Sequence, residues 1–406
     1  MSTPERNSRI QKLKNLKENQ VNPYPNRYSP EDFSADILSG YEDGKEQNVK
    51  VAGRVMLVRD FGKACFATLK DSKGTIQVYA QKDVIGEKFN SFKKIDVGDI
   101  IGVQGSVFKT QKGEITIQVN EWQMLAKAIM PLPEKFHGLT DVEMRYRQRY
   151  TDLIVNDEVK DAFITRSKII RLIRDYLNDK NFLEVETPML QQIPGGANAR
   201  PFETFHNALR IPLFLRIAPE LYLKRLIVGG MEKVYELSRV FRNEGISTRH
   251  NPEFTLLEVY EAYSDYEGMM KLTENLIHLI SKEIVGKEEI VYQGKTYSFK
   301  TPFERISMPD AIKKYMNIDI QSFLNNPQGL LKEAESKGFH LKNKNSFWHM
   351  VIELFEEGVE EKLEGPVFVT HYPAETTPLA KQDPENPDYV ERFELFICGR
   401  EHANAY

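Results

Sequence analysis

The chain has 406 residues, of which 41% are hydrophobic and 28% charged, and its formal net charge is −4. At roughly 100–200 residues per domain this length predicts two or three domains with a buried core. The net charge argues against a protein that coats nucleic acid through bulk positive charge. No segment approaches the ~18 uncharged apolar residues of a membrane helix, and the N-terminus lacks the apolar stretch of a signal peptide, so we expect a cytoplasmic protein. Cys65 and Cys398 lie far apart and support neither a disulfide framework nor a zinc site.

The first predicted element is a basic helix. Thr3 and Pro4 supply an N-cap and a proline at the first helical position, hydrophobic residues follow at helical spacing, and a proline pair at 22–25 ends the helix. Residues 1–28 contain two acidic residues, Glu5 and Glu18, and six basic ones: Arg6, Arg9, Lys12, Lys14, Lys17 and Arg27. This excess is a weak indication of a polyanionic partner, and a solvated helix face is the favoured interpretation when the segment is taken alone.

From about Val49 to Leu125 the hydrophobic period changes to two, which is typical of β-strands. Five short strands fall within this stretch, with hairpin turns at 71–74 and 111–113. This pattern predicts a small closed barrel, and the five-stranded oligonucleotide-binding (OB) fold is the leading candidate. Other small barrels would give a similar pattern.

A proline-rich break at 130–133 marks a domain boundary. A helix with one apolar face is predicted from Asp157 to Leu177, followed by a short strand that Pro188 closes. Beyond it, strands and helices alternate irregularly, which favours an α+β domain, built on an antiparallel sheet flanked by helices, over a doubly wound one. We therefore predict a basic helix over 1–28, a barrel over 45–130, a linker over 131–155 and an α+β domain over 156–406.

A run of glutamates between residues 353 and 364 shares one face of a predicted helix. A cation site is one interpretation of this run. Carboxylates spread over three helical turns do not converge on one ion, however, so we favour an exposed amphipathic helix. Its inward face would consist of Ile352, Phe355, Val359 and Leu363.

Several familiar chemical motifs are absent from the sequence. There is no Gly-x-x-x-x-Gly-Lys-Ser/Thr phosphate loop, no dinucleotide-binding fingerprint and no Gly-x-Ser-x-Gly nucleophile elbow. His206, His250 and the two cysteines show no metal-binding spacing. The glycine pairs at 195–196 and 229–230 fit turns better than phosphate cradles.

One predicted strand hairpin has the composition of an anion site. The first strand, from Val234, leads to Arg242 and Glu244, which would share a face of an extended chain. The second strand follows Phe254 and places Glu258 and Tyr260 on one face. Arg242 could neutralise a phosphate or carboxylate and Phe254 could stack on a base. A hairpin with cross-strand ion pairs explains the charges equally well.

The segment from Arg392 to Tyr406 brings Glu394 and Glu401 close together in sequence. Two carboxylates beside bound phosphates are the usual protein contribution to a Mg²⁺ site, because this ion keeps waters and takes phosphate oxygens. The alternative is a pair of exposed glutamates on a strand.

These segments resemble signature motifs of the class II aminoacyl-tRNA synthetases. Phe241-Arg-Asn-Glu244 with Arg249-His-Asn-Pro-Glu-Phe254 is similar to the second motif of the class, and the helix before Glu184-Val-Glu-Thr-Pro188 is similar to the first, which forms the dimer interface. The resemblance covers essentially the whole chain. Six segments resemble the lysyl-tRNA synthetases in particular: Leu139–Asp141, Arg145–Tyr150, Gly195–Ala197, Ile217–Arg225, Tyr372–Lys381 and Phe393–Tyr406.

The resemblance implies roles for particular residues, with ATP, L-lysine and tRNA(Lys) as ligands, Mg²⁺ as the metal and a homodimer formed through 157–188. ATP would be held by Arg242, Asn243, Glu244, His250, Asn251, Phe254, Glu394 and Leu395, with Arg242 on the α-phosphate and Phe254 against adenine. The metal would be held by Glu394 and Glu401. Lysine would be surrounded by Gly196, Glu220, Glu258, Tyr260 and Asn404. The anticodon would be read by Phe66, Gln77 and Glu121, while the basic helix touches the tRNA backbone.

The mechanism that the resemblance implies needs no side-chain nucleophile. The lysine carboxylate attacks the α-phosphorus of ATP to give lysyl-adenylate and pyrophosphate, and the terminal hydroxyl of tRNA then takes the lysyl group. Catalysis would come from positioning and charge neutralisation, with Arg242 as the catalytic residue. No editing domain is expected, because the ammonium of lysine discriminates well against apolar amino acids.

The sequence departs from the family pattern after Tyr406, where the chain stops before the third class II motif. We therefore expect that the 406-residue polypeptide alone binds ATP poorly and does not charge tRNA, and normal lysine-dependent pyrophosphate exchange would contradict this. Cys398 and His402 stand where a small polar and an aliphatic residue are expected, which affects the packing of that strand.

Three alternatives remain open. An aspartate or asparagine synthetase shares the barrel and the second motif, but its acidic substrate needs a basic residue where Glu220, Glu258 and Tyr260 stand here. A relative that lysylates a protein would lack the barrel. The third alternative is not an enzyme: it is a non-catalytic fragment that binds tRNA or dimerises. Only measured activity separates this alternative from a synthetase.

Overall fold

The computed structural model describes residues 3–133, 141–247, 250–344 and 346–406. Leu139, Thr140 and Arg249, which belong to motifs quoted above, lie outside these ranges. The chain divides into two compact units, Met1–Asp161 and Ala162–Tyr406. Within the described ranges, no helix has both the length and the apolar character needed to cross a membrane.

The first unit contains the predicted five-stranded OB-fold barrel. The strands close in the order β1-β2-β3-β5-β4, with β1 paired to β4, and β3 runs parallel to β5. Alternate residues of β2 and β3 point into an apolar core. The strand bounds are Asn48–Asp60 (β1), Ala64–Lys70 (β2), Thr75–Gln81 (β3), Ile100–Lys109 (β4) and Ile115–Ala126 (β5). Helices in this unit are Pro4–Glu18 (α1), Ser34–Ser39 (α2), Lys82–Ile85 (α3), Lys88–Phe92 (α4), Val142–Arg147 (α5) and Arg149–Val155 (α6).

Helix α1 begins where its capping residues predict, because the Thr3 side chain accepts a hydrogen bond from the Arg6 amide. Its basic face differs from the prediction. Arg9 is buried and donates to the Val97 carbonyl at 2.9 Å, and Lys12 pairs with Asp96 at 2.6 Å. The sequence pattern missed this because both partners lie more than eighty residues away along the chain. Arg9 therefore anchors the helix and is not part of a free basic surface.

The second unit is an α+β domain whose sheets are mostly antiparallel, with parallel pairs at β6–β10 and β14–β15. Its sheets have the orders β11-β10-β6, β7-β9-β8 and β14-β15-β16-β17, beside a β12–β13 hairpin. Helix bounds are Asp157–Asp179 (α7), Glu220–Val228 (α8), Tyr266–Ile280 (α9), Met308–Met316 (α10), Pro327–Ser336 (α11) and Phe347–Gly358 (α12). Strand bounds are Leu183–Glu184 (β6), Leu190–Gln191 (β7), Glu203–His206 (β8), Ile211–Leu215 (β9), Lys233–Phe241 (β10), Glu253–Glu261 (β11), Glu289–Tyr292 (β12), Lys295–Ser298 (β13), Glu304–Ser307 (β14), Val367–Pro373 (β15), Tyr389–Phe396 (β16) and Glu401–Ala405 (β17).

The glutamate-rich segment is not one continuous helix over 353–364. Helix α12 ends at Gly358, and a short 3₁₀ turn follows at Glu360–Lys362. A Cβ on Gly358 would lie 2.5 Å from the Met316 sulfur, so this glycine allows α10 and α12 to approach closely. The carboxylate of Glu353 accepts backbone hydrogen bonds from residues 342 and 343, so it holds the loop that precedes α12.

Candidate active site

The β10–β11 hairpin forms the floor of the candidate site. Its antiparallel register sets Glu236 opposite Glu258 and Val240 opposite Phe254, so these side chains share one face of the sheet. The strand ends at Phe241, one residue before Arg242. The prediction that Arg242 and Glu244 share the face of an extended strand is therefore wrong, because the Asn243 amide turns away to bond the carbonyl of residue 200 at 2.8 Å.

Glu220 opens helix α8 and is almost completely buried. Gly196 packs directly against it with a positive φ of 89°, and a Cβ there would lie 2.9 Å from the Glu220 Cβ. Only glycine combines this conformation with so close an approach. The structure thus brings together Gly196 and Glu220, two residues that the resemblance assigned to lysine.

Glu258 and Tyr260 project from β11 beside each other, and the Tyr260 hydroxyl donates to the Glu258 carboxylate at 2.9 Å. Burial raises the pKa of Glu258 to about 7, and the nearby charges of Glu220 and Glu236 add to this shift. The hydrogen bond from Tyr260 and the charge of Arg242 oppose it. Burial, and then the charges of Glu258 and Glu220, raise the pKa of Tyr260, which keeps its hydroxyl neutral. The result is a concentrated negative site beside a hydrogen-bond donor.

A buried ion pair beneath this site was missed at the sequence level. Arg216 and Glu236 are both almost fully buried and lie 2.6 Å apart. Arg216 also donates to the Arg239 carbonyl at 2.8 Å, and the Thr187 hydroxyl donates to Glu236 at 2.6 Å. The only signal in the sequence was that Glu236 alternates in phase with the apolar Val234 and Val240, which is unusual for a carboxylate.

Arg242 lies over the ring of Phe254, with its guanidinium carbon 5.2 Å from the ring centroid. Its Nε is buried and has no hydrogen-bond partner within the described ranges. An unsatisfied buried donor is costly and fits an anionic ligand. The His250 amide donates to the Ser247 hydroxyl at 3.0 Å. The remaining predicted ATP residues of this loop, Asn243, Glu244 and Asn251, are exposed.

On the other sheet, Glu394 of β16 is the centre of a second polar cluster. Arg392 donates to it at 2.5 Å and Asn404 of β17 donates at 3.2 Å. Burial, then repulsion from Glu401, raises the pKa of Glu394 to about 7, although Arg392 opposes the shift. Burial and then the charge of Glu394 raise the pKa of Glu360 to about 7 as well. Glu401 lies on β17, the strand paired with β16, and its charge acts on the Glu394 carboxyl.

Two of the predicted residues have contacts that the sequence did not predict. Leu395 follows Glu394 on β16 and points to the opposite face, into the core, with none of its surface exposed. It was predicted to line the ATP phosphates, but the structure leaves only its backbone for such a contact. Asn404 was predicted to bind lysine, and in the structure its side chain forms hydrogen bonds with Glu394 and Arg392.

No group of three or more His, Cys, Asp or Glu side chains in the described parts of the chain has the arrangement of a metal site. Glu394 and Glu401 thus form a pair of carboxylates and not a complete ligand set. Two carboxylates are the ligands that a protein contributes to Mg²⁺ when phosphates and waters provide the others.

The barrel carries the three residues predicted to read the anticodon on its outer surface. Phe66 of β2 stacks on Tyr79 of β3, with ring centroids 4.4 Å apart. Gln77 of β3 donates to the Thr116 hydroxyl at 3.0 Å, and Glu121 of β5 is exposed. Phe66 and Gln77 share one face because their strands are paired in register.

Comparison with known proteins agrees with this geometry. Residues 141–406 match the family of class II tRNA synthetases (D, K and N), and residues 49–125 match the OB-fold nucleic acid binding domain. The chain therefore belongs to the class II tRNA synthetases.

Individual relatives narrow the family. The chain is 51% identical to a lysine–tRNA ligase of Syntrophomonas wolfei over 98% of its length and 81% of that ligase. It is 50% identical to the lysine–tRNA ligase of Bacillus subtilis, over 98% and 81% of the two chains, and 52% identical to that of Pelotomaculum thermopropionicum, over 98% and 79%. Within its class the chain belongs to the lysine–tRNA ligase family.

Proposed function

We propose, against the expectation that the 406-residue polypeptide alone does not charge tRNA, that this chain activates L-lysine with ATP and transfers it to the 3′ end of tRNA(Lys), as its similarity to lysine–tRNA ligases over 98% of its length supports. One observation carries the choice of lysine: the charge of Glu220 raises the pKa of the buried Glu258 carboxyl, which lies beside the Tyr260 hydroxyl. A buried pair of carboxylates is stable only with a cation between or beside them. A lysine ammonium is such a cation, whereas aspartate or asparagine offers none on its side chain.

In the first step the lysine carboxylate attacks the α-phosphorus, a carboxyl-oxygen–phosphorus bond forms, and the bond to the β-phosphate oxygen breaks to release pyrophosphate. Arg242 would neutralise the α-phosphate with its unpartnered Nε edge, and Phe254 would stack on adenine. In the second step the terminal tRNA hydroxyl attacks the lysyl carbonyl carbon, and AMP leaves.

Glu394 and Glu401 fit Mg²⁺, because the charge of Glu401 raises the pKa of Glu394 and a bound cation would offset that repulsion. The ion would supply charge neutralisation for the phosphates of ATP. Arg392, which bonds Glu394 at 2.5 Å, keeps that carboxylate oriented. Asn404 of β17 contacts the same carboxylate. We infer that this residue lies between the residues proposed for Mg²⁺ and those proposed for lysine.

For tRNA, we propose that Phe66 stacks on an anticodon base while Gln77 and Glu121 bond base edges. The exposed cations of α1, Lys14 and Lys17, would touch phosphates. Because tRNA charging takes place where proteins are synthesised, the proposed location is the cytoplasm.

We also propose a homodimer through residues 157–188. Large apolar side chains stand exposed in and beside this segment, which is the usual property of a surface that another subunit covers: Phe163, Ile164, Leu183, Met189 and Leu190. Sedimentation of wild type and Leu183→Glu tests this. A dimer that the substitution dissociates supports the proposal, and Val228→Lys, at a site 89% exposed outside the segment, is the matched control. A wild-type monomer at micromolar concentration overturns it.

The substrate is tested by titration calorimetry of the full chain with L-lysine, L-aspartate, L-asparagine and L-norleucine. Lysine alone should bind in the millimolar range or better, and Glu220→Gln should weaken lysine binding by roughly 10- to 100-fold through loss of a charged hydrogen bond. Binding of aspartate or asparagine in preference to lysine would support the alternative members of the class.

A further inference from the structure

The site that is proposed for lysine already holds an ammonium group of the chain itself. The Lys224 Nζ lies 2.6 Å from Glu220 Oε1 and 3.2 Å from the Tyr406 hydroxyl, and 5.0 Å from the centroid of the Tyr406 ring. The Tyr406 hydroxyl also donates to Glu220. The three groups around this ammonium are therefore a carboxylate, a hydroxyl and an aromatic face.

This arrangement differs from an ordinary helical ion pair. Glu220 and Lys224 are four residues apart on α8, and such pairs on solvent-exposed helices are weak. Here the Glu220 side chain is only 8% exposed, and the third partner comes from the end of β17, 182 residues away. Burial favours the neutral amine, but hydrogen bonds with Glu220 and Tyr406 dominate and raise the pKa of Lys224, so the group is a cation.

Carboxylate, hydroxyl and aromatic face are the groups that recognise an alkylammonium ion. The substrate side chain and Lys224 thus carry the same head group on the same four-carbon stem, and Glu220 cannot form its shortest contact with both. The Lys224 side chain is 40% exposed, so it can swing into solvent when it is displaced.

We propose that Lys224 is a specificity-determining residue: its ammonium occupies Glu220 in the free protein, and a substrate ammonium must displace it to bind. The proposal rests on the lysine specificity proposed above. A neutral ligand that displaced Lys224 would leave a buried carboxylate unpaired, which is strongly unfavourable. A cationic ligand replaces the lost partner. The resident lysine therefore lowers affinity for every ligand but penalises neutral ones most.

Lys224→Met tests the proposal, since it keeps the length and apolar stem and removes the charge. Calorimetry of the full chain with L-lysine should give a Kd about 3- to 10-fold lower than wild type, because the substrate no longer competes with an internal cation. Lys224→Arg, which retains a cation, should stay within about twofold of wild type on the same reasoning. Lys233→Met is the matched control, because Lys233 pairs with Glu261 at 2.6 Å in the same unit.

Two analogues show which ammonium of the substrate competes with Lys224 for Glu220. One is 6-aminohexanoate, which has only the side-chain ammonium, and the other is L-norleucine, which has only the α-ammonium. The analogue whose affinity rises in Lys224→Met identifies the group that meets Glu220. If the wild type binds lysine and the Kd for lysine in Lys224→Met is unchanged or higher, the inference about Lys224 is wrong but the proposed function stands. Absence of lysine binding in both proteins overturns the proposed function and the inference with it.

Discussion

Glu236 and Glu258 face each other directly across the β10–β11 pair, yet their surroundings differ in charge. Glu236 bonds Arg216 at 2.6 Å, whereas Glu258 bonds the neutral Tyr260 hydroxyl at 2.9 Å. The pKa of Glu258 is raised to about 7, first by burial and then by neighbouring carboxylates. Glu236 therefore has a cationic partner within the fold, whereas the hydrogen-bond partner of Glu258 is a neutral hydroxyl.

The Arg216–Glu236 pair sets the first prediction. Arg216→Met should lower the free energy of unfolding by about 3–5 kcal/mol, because it leaves a buried carboxylate without its cation. The measurement is urea denaturation at pH 7.5. Adding Glu236→Gln to Arg216→Met should recover part of the loss, since no buried charge then remains. A loss below about 1 kcal/mol, which is the range of an exposed pair, would contradict the account.

The second prediction concerns pH. The pKa of Glu258 is raised from its ordinary 4.5 to about 7, so between these values the folded state holds a proton that the unfolded state has lost. Its contribution to stability is complete below pH 4.5 and is lost as pH rises through 7, by roughly 1–3 kcal/mol. Glu258→Gln should therefore gain stability relative to wild type between pH 5 and 8 in denaturation curves.

The affinity for lysine should also depend on the protonation of Glu258, but it should rise with pH where stability falls. The carboxylate form of Glu258 binds the ammonium, so wild-type affinity should fall as pH drops below about 7, with proton release on binding near pH 6. Glu258→Gln should bind lysine weakly and without this pH dependence. Calorimetry in buffers of different ionisation enthalpy measures the released protons, and their absence would remove Glu258 from the lysine site.

The third prediction addresses the barrel. Phe66→Ala should weaken binding of the tRNA(Lys) anticodon stem-loop by about 1–3 kcal/mol, the range for loss of one stacked base. Lysine affinity should stay unchanged. Val84→Ala, at an exposed position of α3, serves as the surface control in the same fluorescence-anisotropy titration. Equal stem-loop affinity in Phe66→Ala and Val84→Ala would place the anticodon elsewhere.

The fourth prediction separates the basic residues of α1. Lys14 and Lys17 are exposed, so replacing both by alanine should weaken tRNA binding and reduce the slope of log affinity against log salt by about 1–2. Arg9→Ala should instead lower the unfolding temperature, because its guanidinium holds the Val97 carbonyl. The account fails here if the double variant keeps the full salt slope.

Much of the fold follows from local patterns. The period of two predicted the barrel, and Thr3 and Pro4 predicted the start of α1, because strand alternation and helix capping depend on neighbouring residues. The close approach of α12 to α10 at Gly358 was not predictable, since it depends on Met316 of another helix. Local patterns lack such distant partners.

The same limit applies to the site. The motifs located Glu220, Glu258 and Arg242, but the ion pair of Arg216 with Glu236 joins residues from different elements. The contact of Lys224 with Tyr406 spans 182 residues. The alternation of Glu236 with apolar residues indicates that its side chain is buried, but no pattern in the sequence identifies the partner in either pair.

The central claim is that this site selects lysine. Its most direct test is competition among non-hydrolysable sulfamoyl-adenosine analogues of lysyl-, aspartyl- and asparaginyl-adenylate for the full chain. The account predicts that the lysyl analogue binds at least ~100-fold tighter than the other two, because only its side chain supplies a cation to Glu220 and Glu258. Equal affinities, or a preference for the aspartyl or asparaginyl analogue, would contradict it.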